Sequence, residues 1–420
     1  MRTSVNFRML LVALLIVVTS GAMAQRNRLQ YFRAPGQEGL NVFETPKTTD
    51  VEFDGLHVQV GGDFALQFQG LSHENSNPGD TLVDLVSNFN LPTANLNLDV
   101  QLAEGLRMHL RTYLSSRHHS EAYVKGGYLQ IDRLDWISEG LLDEFMDIAT
   151  IRVGMDEINY GDAHFRRSDN AAAIYNPFVG NYIMDAFTTE PHFELTLQPS
   201  SFLIVAGITN GRLNQSPIKG DGGMVFYGKL GYDKQINDEF RFRLTGSLYN
   251  STSGSTRDYI YGGDRAGGRY YNTLESEVSG GSDFDPRFNP GFAYQTAFQI
   301  NPFIKYGGLE FFGIFEVANN GNNDVGGGFT QLGAEVLYRF GGKEQLYVGG
   351  RYNGVNGERT DNADEQKINR VNIGGGWFMT KNVLAKLEYV SQNYDGDGFN
   401  GTRYQEGKFN GVMIEAVIGF

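Results

Sequence analysis

No cysteine occurs anywhere in this chain. That excludes disulfide staples and a lipid-modified cysteine, so stability has to come from hydrogen bonding, packing and charge pairing. Proline is sparse, at 11 of 420 residues, and tryptophan occurs twice. Basic charge is in deficit: 35 Lys and Arg stand against 49 Asp and Glu, a formal net charge of −14. A chain this acidic has no electrostatic footprint for nucleic acid. Catalytic signatures are missing too, with no H-E-x-x-H, Walker loop, strand-to-helix G-x-G-x-x-G or G-x-S-x-G. After the first two dozen residues no apolar stretch approaches the ~20 residues of a spanning helix.

The first residues, MRTSVNFRMLLVALLIVVTSGAMAQ, carry Arg2 and Arg8, an apolar run over 9–18 and the small-residue site Ala22-Met23-Ala24. They predict a cleaved signal peptide over 1–24. An exported chain without a spanning helix can cross a bilayer only as a closed β-barrel.

What is abundant fits that architecture. Glycine reaches 54 residues, with 30 Phe and 22 Tyr. From residue 56 onward the hydrophobic period is two, the β period. In LHVQVGGDFALQFQG, Leu56, Val58, Val60, Phe64, Leu66 and Phe68 alternate with polar residues; ANLNLDVQL, LRMHLRTYL and EFRFRLTGSLYN repeat the pattern. About sixteen such segments lie between 56 and 420, joined by alternately short and long connections. The short ones are AEG, QPSS, DKQIND, INPF, FGGKE and MTKN; the long ones include 70–93, 156–189, 250–290 and 393–408. An even strand count with short turns at one end and long loops at the other is the pattern of a transmembrane antiparallel β-barrel. The chain is too short for a 22-strand barrel with a plug domain. The expected organisation is therefore an all-β barrel over 56–420, preceded by a segment over 25–55. That segment either packs inside the short-turn mouth as a plug or extends as a periplasmic tail.

Further expectations attach to particular stretches. RLDWISEGLLDEFMDI over 133–148 has Leu134, Ile137, Leu141 and Phe145 at helical spacing and predicts an amphipathic helix. Such a helix would pack on the barrel rim or membrane interface, or dock a periplasmic partner. Tyr232, Phe240, Phe298, Phe303, Tyr338, Phe340, Tyr347, Trp377 and Phe378 lie near the short turns and predict an aromatic girdle. His118-His119 with Glu121 is read as incidental. NYDGDGFNG at 393–401 is read as a polar surface loop, because Phe399 stands where a calcium ligand belongs. No metal or cofactor is expected.

The chain ends VMIEAVIGF, an alternating strand closing on Phe420. It resembles the C-terminal strand of bacterial outer-membrane proteins. The sixteen-segment pattern as a whole resembles the general porins, in which the third extracellular loop folds into the lumen and narrows it. Counting outer connections from the N-terminus gives 70–93, the short 116–121, then 156–189 as the third, containing HFRRSDNAAAIYNPFVGNYIMDA. IRVGMDEINYGD, entering that loop, and NVFETPK…FDGL…VGGDF are similar to Bacteroidetes relatives of the phosphate-selective porin O and P family. That family implies a lysine-rich ladder, whereas this chain offers mainly arginines mixed with acids. The resemblance implies an outer-membrane location, passive diffusion of small hydrophilic solutes, contact with lipid and lipopolysaccharide, a homotrimer, and no enzymatic activity.

A pore discriminates ions where charges crowd its narrowest point. Strand parity sends Arg107, Arg111, Arg152, Arg241 and Arg243 inward, with Arg351, Arg370 and Lys386 further round. Asp63, Asp99, Glu194, Glu310, Glu335 and Glu388 share those faces, and Asp156, Glu157 and Asp162 are placed on the loop. His164, Arg166, Arg167 and Asp169 complete the candidate constriction. Unopposed arginines there would favour anions; a row facing acids would give a transverse field. Each loop arginine is alternatively a clamp on a wall acid or on Asp169. A competing use of the barrel is adhesion through the 250–290 loop, rich in Gly, Ser, Tyr and charge. An outer-membrane hydrolase is the third reading.

Overall fold

The computed structural model describes residues 29–115, 119–169, 172–211, 224–252, 260–262, 269–281 and 286–420, with backbone alone for 119–123. The expected signal peptide, His118 and much of the 250–290 loop lie outside the described residues.

Sixteen strands form one closed antiparallel barrel in which each strand pairs with its sequence neighbours and the first pairs with the last. They are β1 (His57–Glu74), β2 (Asn88–Ala103), β3 (Leu106–Ser115), β4 (His119–Ile131), β5 (Ala149–Glu157) and β6 (Thr189–Leu197). Next come β7 (Phe202–Thr209), β8 (Val225–Gln235), β9 (Phe240–Ser251), β10 (Gln295–Tyr306) and β11 (Leu309–Asn320). The last are β12 (Gly328–Phe340), β13 (Leu346–Glu358), β14 (Gln366–Thr380), β15 (Val383–Asp395) and β16 (Lys408–Gly419). Closure is made by β1 on β16, from Asp63↔Gly419 to Glu74↔Lys408. A closed ladder leaves no strand edge, so every backbone group in the wall can pair without water.

The period-two pattern sorts side chains to two faces. Leu230 (65% exposed), Leu332 (54%) and Leu387 (56%) stand outward with many Val, Ile and Phe neighbours. Asp63, Asp99, Arg107, Glu310, Arg351 and Lys386 are buried on the inner face. An apolar exterior around a charged interior is that of a bilayer-spanning barrel, the reverse of a soluble one. Among the described residues no helix is long and apolar enough to cross a membrane.

Three local expectations are corrected. INPF is not a turn: β10 runs through Asn301, Pro302 and Phe303 to Tyr306, and the chain reverses at Gly307-Gly308. Gly307 takes a positive φ of +53° there, with nothing around its missing Cβ. The shift also leaves Phe298 nine residues before the turn, too far along β10 for a short-turn girdle. The second correction concerns the girdle: Tyr338, Phe340 and Trp377 are exposed on the exterior as a girdle requires, but Phe303, Tyr347 and Phe378 are buried on the interior. Third, 133–148 is not an amphipathic helix. It is a series of turns with a single helical turn at Asp143–Met146, entered through Leu142 in the left-handed region. Gly140, also at positive φ, breaks the run. Ile137 and Phe145 are exposed, and Met146 is buried.

Candidate functional site: the charged barrel interior

The third outer connection, 158–188, is buried almost throughout its described length. A buried loop must find partners for its backbone groups. Here inward side chains of the wall supply them. The N–H groups of Val179, Ile183 and Met184 donate to Glu388 (2.7 Å), Asn353 (2.6 Å) and Gln331 (2.9 Å). The carbonyls of Ala173, Gly180 and Asn181 accept from Lys386 (2.7 Å), Arg351 (2.7 Å) and Arg370 (2.6 Å). Tyr175-Asn176-Pro177-Phe178 is a turn held by the Asn176 carboxamide, which accepts the Phe178 N–H at 3.0 Å. Ala172–Phe178 packs on Leu337, Tyr347, Phe378 and Leu384, giving the inward aromatics their partners.

Each loop arginine meets an acid. Arg166 bridges Glu335 on β12 and the Asn41 side chain (2.7 Å), and Arg351 holds the other oxygen of Glu335 at 2.6 Å. Arg167 forks onto Asp185 of the same loop at 2.9–3.1 Å and lies over the Phe187 ring. Asp169 pairs with Lys125 on β4. Asp162 is held by Lys229 (2.8 Å), by Arg243 (2.8 and 3.0 Å) and by Thr245 (2.8 Å). Burial pushes its carboxyl upward, but the Arg243 and Lys229 charges overcome that and hold it well below the usual carboxylate range. His164 sits at 3.1 Å from the Asn159 carboxamide and 3.7 Å from Glu157.

The strand arginines divide into two groups. On β3 the pairing stays within the wall, Arg107 with Asp99 and Gln130 and Arg111 with Asn97 (3.2 Å) and Asp156 (3.4 Å), while Arg152 on β5 bonds Gln130 (3.2 Å) and also the Thr45 hydroxyl of the segment before β1 (2.8 Å). These three arginines line a cavity of about 140 Å³, together with Gln59, Asn97, His109, Glu157, His164 and Tyr175. On β9, Arg241 pairs with Asp233 at 2.6 Å, while Arg243 reaches Asp162 and Glu44. Asp156 and Glu157, placed on the loop by sequence, are the last residues of β5. The expectation of a free arginine row facing acids fails on the β13–β15 side, where Arg351, Arg370 and Lys386 bind loop carbonyls.

Several participants escaped the sequence reading. Lys125 and Lys229 are inward and buried, and parity along β4 and β8 would have found them. Asn41 and Glu44 sit in an irregular segment without a period, so no pattern could single them out. Glu44 accepts from Arg243 at 2.8 and 2.9 Å. Burial works to raise its pKa, and the Arg243 and Lys229 charges bring it below its ordinary value. Described parts of the 250–290 loop also turn inward: Tyr270 bonds Glu388, and Arg287 donates to the carbonyls of Asp185 (2.7 Å) and Phe187 (2.8 Å).

No protein-family model matches the chain, and no curated protein matches its sequence. Solved structures do match in fold. OmpT, an outer-membrane protein of Vibrio cholerae in a trimer form, superposes with a TM-score of 0.53 at 11% identity, covering 87% of this chain and 100% of that one. An anion-selective porin from Comamonas acidovorans gives 0.52 at 12% identity, with 87% and 100% covered. OprB of Pseudomonas putida gives 0.53 at 9% identity, with 86% and 94% covered. At such identities the likeness is one of fold: the chain has the barrel of Gram-negative outer-membrane porins.

Proposed function

We propose that the protein is an outer-membrane porin that lets small hydrophilic solutes and ions diffuse passively. The observation that carries this is the inversion of the barrel, with an apolar exterior and an interior of buried Arg, Lys, Asp and Glu. A wall of that polarity suits water and solutes, and the loop 158–188 bonded to it narrows the passage. In this reading Arg166, Arg167, Asp169 and Arg243 position the loop, whereas Arg107, Arg111, Arg152 and His164 line the space left beside it. Guanidinium groups at that space give the passage a modest anion preference, the property for which the Comamonas neighbour is named. Phosphate in particular has nothing beyond the short sequence resemblance in its favour. The trimer form of the Vibrio neighbour supports a homotrimer here. The interior polar groups hold loops and neutralise one another, and we assign none of them a catalytic role.

Purified protein in planar bilayers is expected to give stable, open, water-filled conductances. Failure to conduct under any salt or voltage overturns the proposal. Reversal potentials in a salt gradient decide the anion preference, which is lost if cations permeate better.

A further inference from the structure

Residues 29–55 form a strap across the short-turn end of the barrel. Gln30 accepts from the Gly105 N–H at 3.0 Å, between β2 and β3. Lys47 bonds Asp132 at 3.1 Å, after β4. Gln198, after β6, donates to the Thr45 carbonyl at 2.8 Å. Gln37 donates to the carbonyl of Lys343 from its side chain and to that of Lys381 from its backbone, both at 2.7 Å. The strap is thus tied to five of the seven connections at this end, on opposite sides of the mouth. Its middle is bound to the wall and the third loop by Asn41 and Glu44, and by Phe43, which packs edge-on against Phe165 (5.8 Å) and Phe303 (5.4 Å). Twenty-odd residues held this way lose most of their conformational freedom, which only a dense set of contacts offsets.

The strap does not fill the mouth evenly. One cavity of about 140 Å³ runs along its β2–β5 side and reaches Arg107, Arg111 and His164. Another of about 250 Å³ lies on its β7–β9 side, lined by Ser200, Asp233, Arg241 and Arg243. Phe43 lines both and stands between them.

We infer that residues 41–45 of the strap are a second, fixed constriction in series with the third loop, and that the Phe43 ring sets the size limit at the short-turn mouth by keeping two narrow openings apart. This rests on the channel reading above. Solutes admitted past the loop still have to leave beside the strap, so the strap and not the loop alone selects by cross-section.

The test compares wild type, Phe43→Ala and a tethered strap in planar bilayers and in liposome swelling with neutral sugars of increasing size. Phe43→Ala removes the ring and keeps the polar ties. The tether is Gln37→Cys with Lys381→Cys joined by a short bis-maleimide, which adds to both thiols as thioethers, clean in a chain without other cysteines. The inference expects Phe43→Ala to raise single-channel conductance and admit larger sugars, and the tethered protein to behave as wild type. Glu44→Gln, which weakens the strap elsewhere, serves if Phe43→Ala fails to fold, and is expected to shift the limit the same way. Wild-type channels whose conductance and size limit are unchanged in the folded variant overturn this inference alone. A tether that lowers conductance shows a moving gate and overturns the fixed constriction. Protein that conducts in no form overturns the channel reading, and this inference falls with it.

Discussion

The two sides of the barrel interior use the same residue types differently. Along β11–β15, inward side chains are committed to the third loop: Arg351, Arg370 and Lys386 cap its carbonyls, and Asn353, Gln331 and Glu388 accept its N–H groups. Along β2–β5, Arg107 and Arg111 pair with neighbours on their own wall, Arg152 bonds the wall and the Thr45 hydroxyl of the strap, and all three face a cavity. A guanidinium that caps carbonyls is structural, because a loop buried without those partners would leave polar groups unsatisfied at ~1–3 kcal/mol each. A guanidinium balanced in the wall beside open space is available to a passing ion. Residue type alone does not separate clamp from lining; the position of the loop does.

Changes on the clamped side should have the largest effects. Asp162→Asn leaves Lys229 with Glu44, and Arg243 with Glu44 and Asp233, as remaining acids and should cost roughly 3–5 kcal/mol, the range for breaking a buried ion pair. It should also give noisy, enlarged conductance; urea unfolding and single-channel recording read both. Arg351→Ala removes one of two cations on Glu335 and one of two donors to the Gly180 carbonyl, and should give the same phenotype more weakly, since Arg166 still holds Glu335 and Asn176 still bonds the carbonyl. On the open side, Arg107→Ala with Arg111→Ala should move the reversal potential toward cations with a smaller stability loss. Asp99 keeps His109, and Asp156 keeps Arg152.

The pH response sharpens the contrast. Asp162 and Glu44 have folded pKa values below their ordinary 3.8 and 4.5. Depressed carboxylates stabilise the fold above the ordinary values and lose that contribution as pH falls through the lowered ones. The part of the thermal stability that Asp162→Asn and Glu44→Gln remove should therefore stay flat from about pH 7 to about pH 5 and decline only below about pH 4. The smallest effect belongs to the exposed pair of Lys408 with Glu74. Lys408→Ala should change stability by at most ~1 kcal/mol and leave conductance alone.

The barrel was legible in the sequence because its signal is periodic. Alternation placed Arg107, Arg111, Arg243, Arg351 and Lys386 on the inner face, and the structure puts them there. Signals lacking a period were misread. INPF looked like a turn because proline cannot donate to a ladder, yet Pro302 is carried within β10. The helical spacing in 133–148 was outweighed by Gly140 and by a left-handed Leu142. The strap has no period at all, so Asn41, Phe43 and Glu44 became visible only once the third loop and β9 were seen to meet them.

The central claim is that the passage runs along the β2–β5 face of the third loop. A chain without cysteine lets one thiol be placed at a time. Gln59 lines the open cavity, whereas Asn353 is wholly buried against Ile183. With Gln59→Cys and Asn353→Cys in planar bilayers, a charged thiol-specific reagent should cut the current through the first and leave the second unaffected. Block at position 353 with none at 59 would contradict the account and place the passage on the other side of the loop.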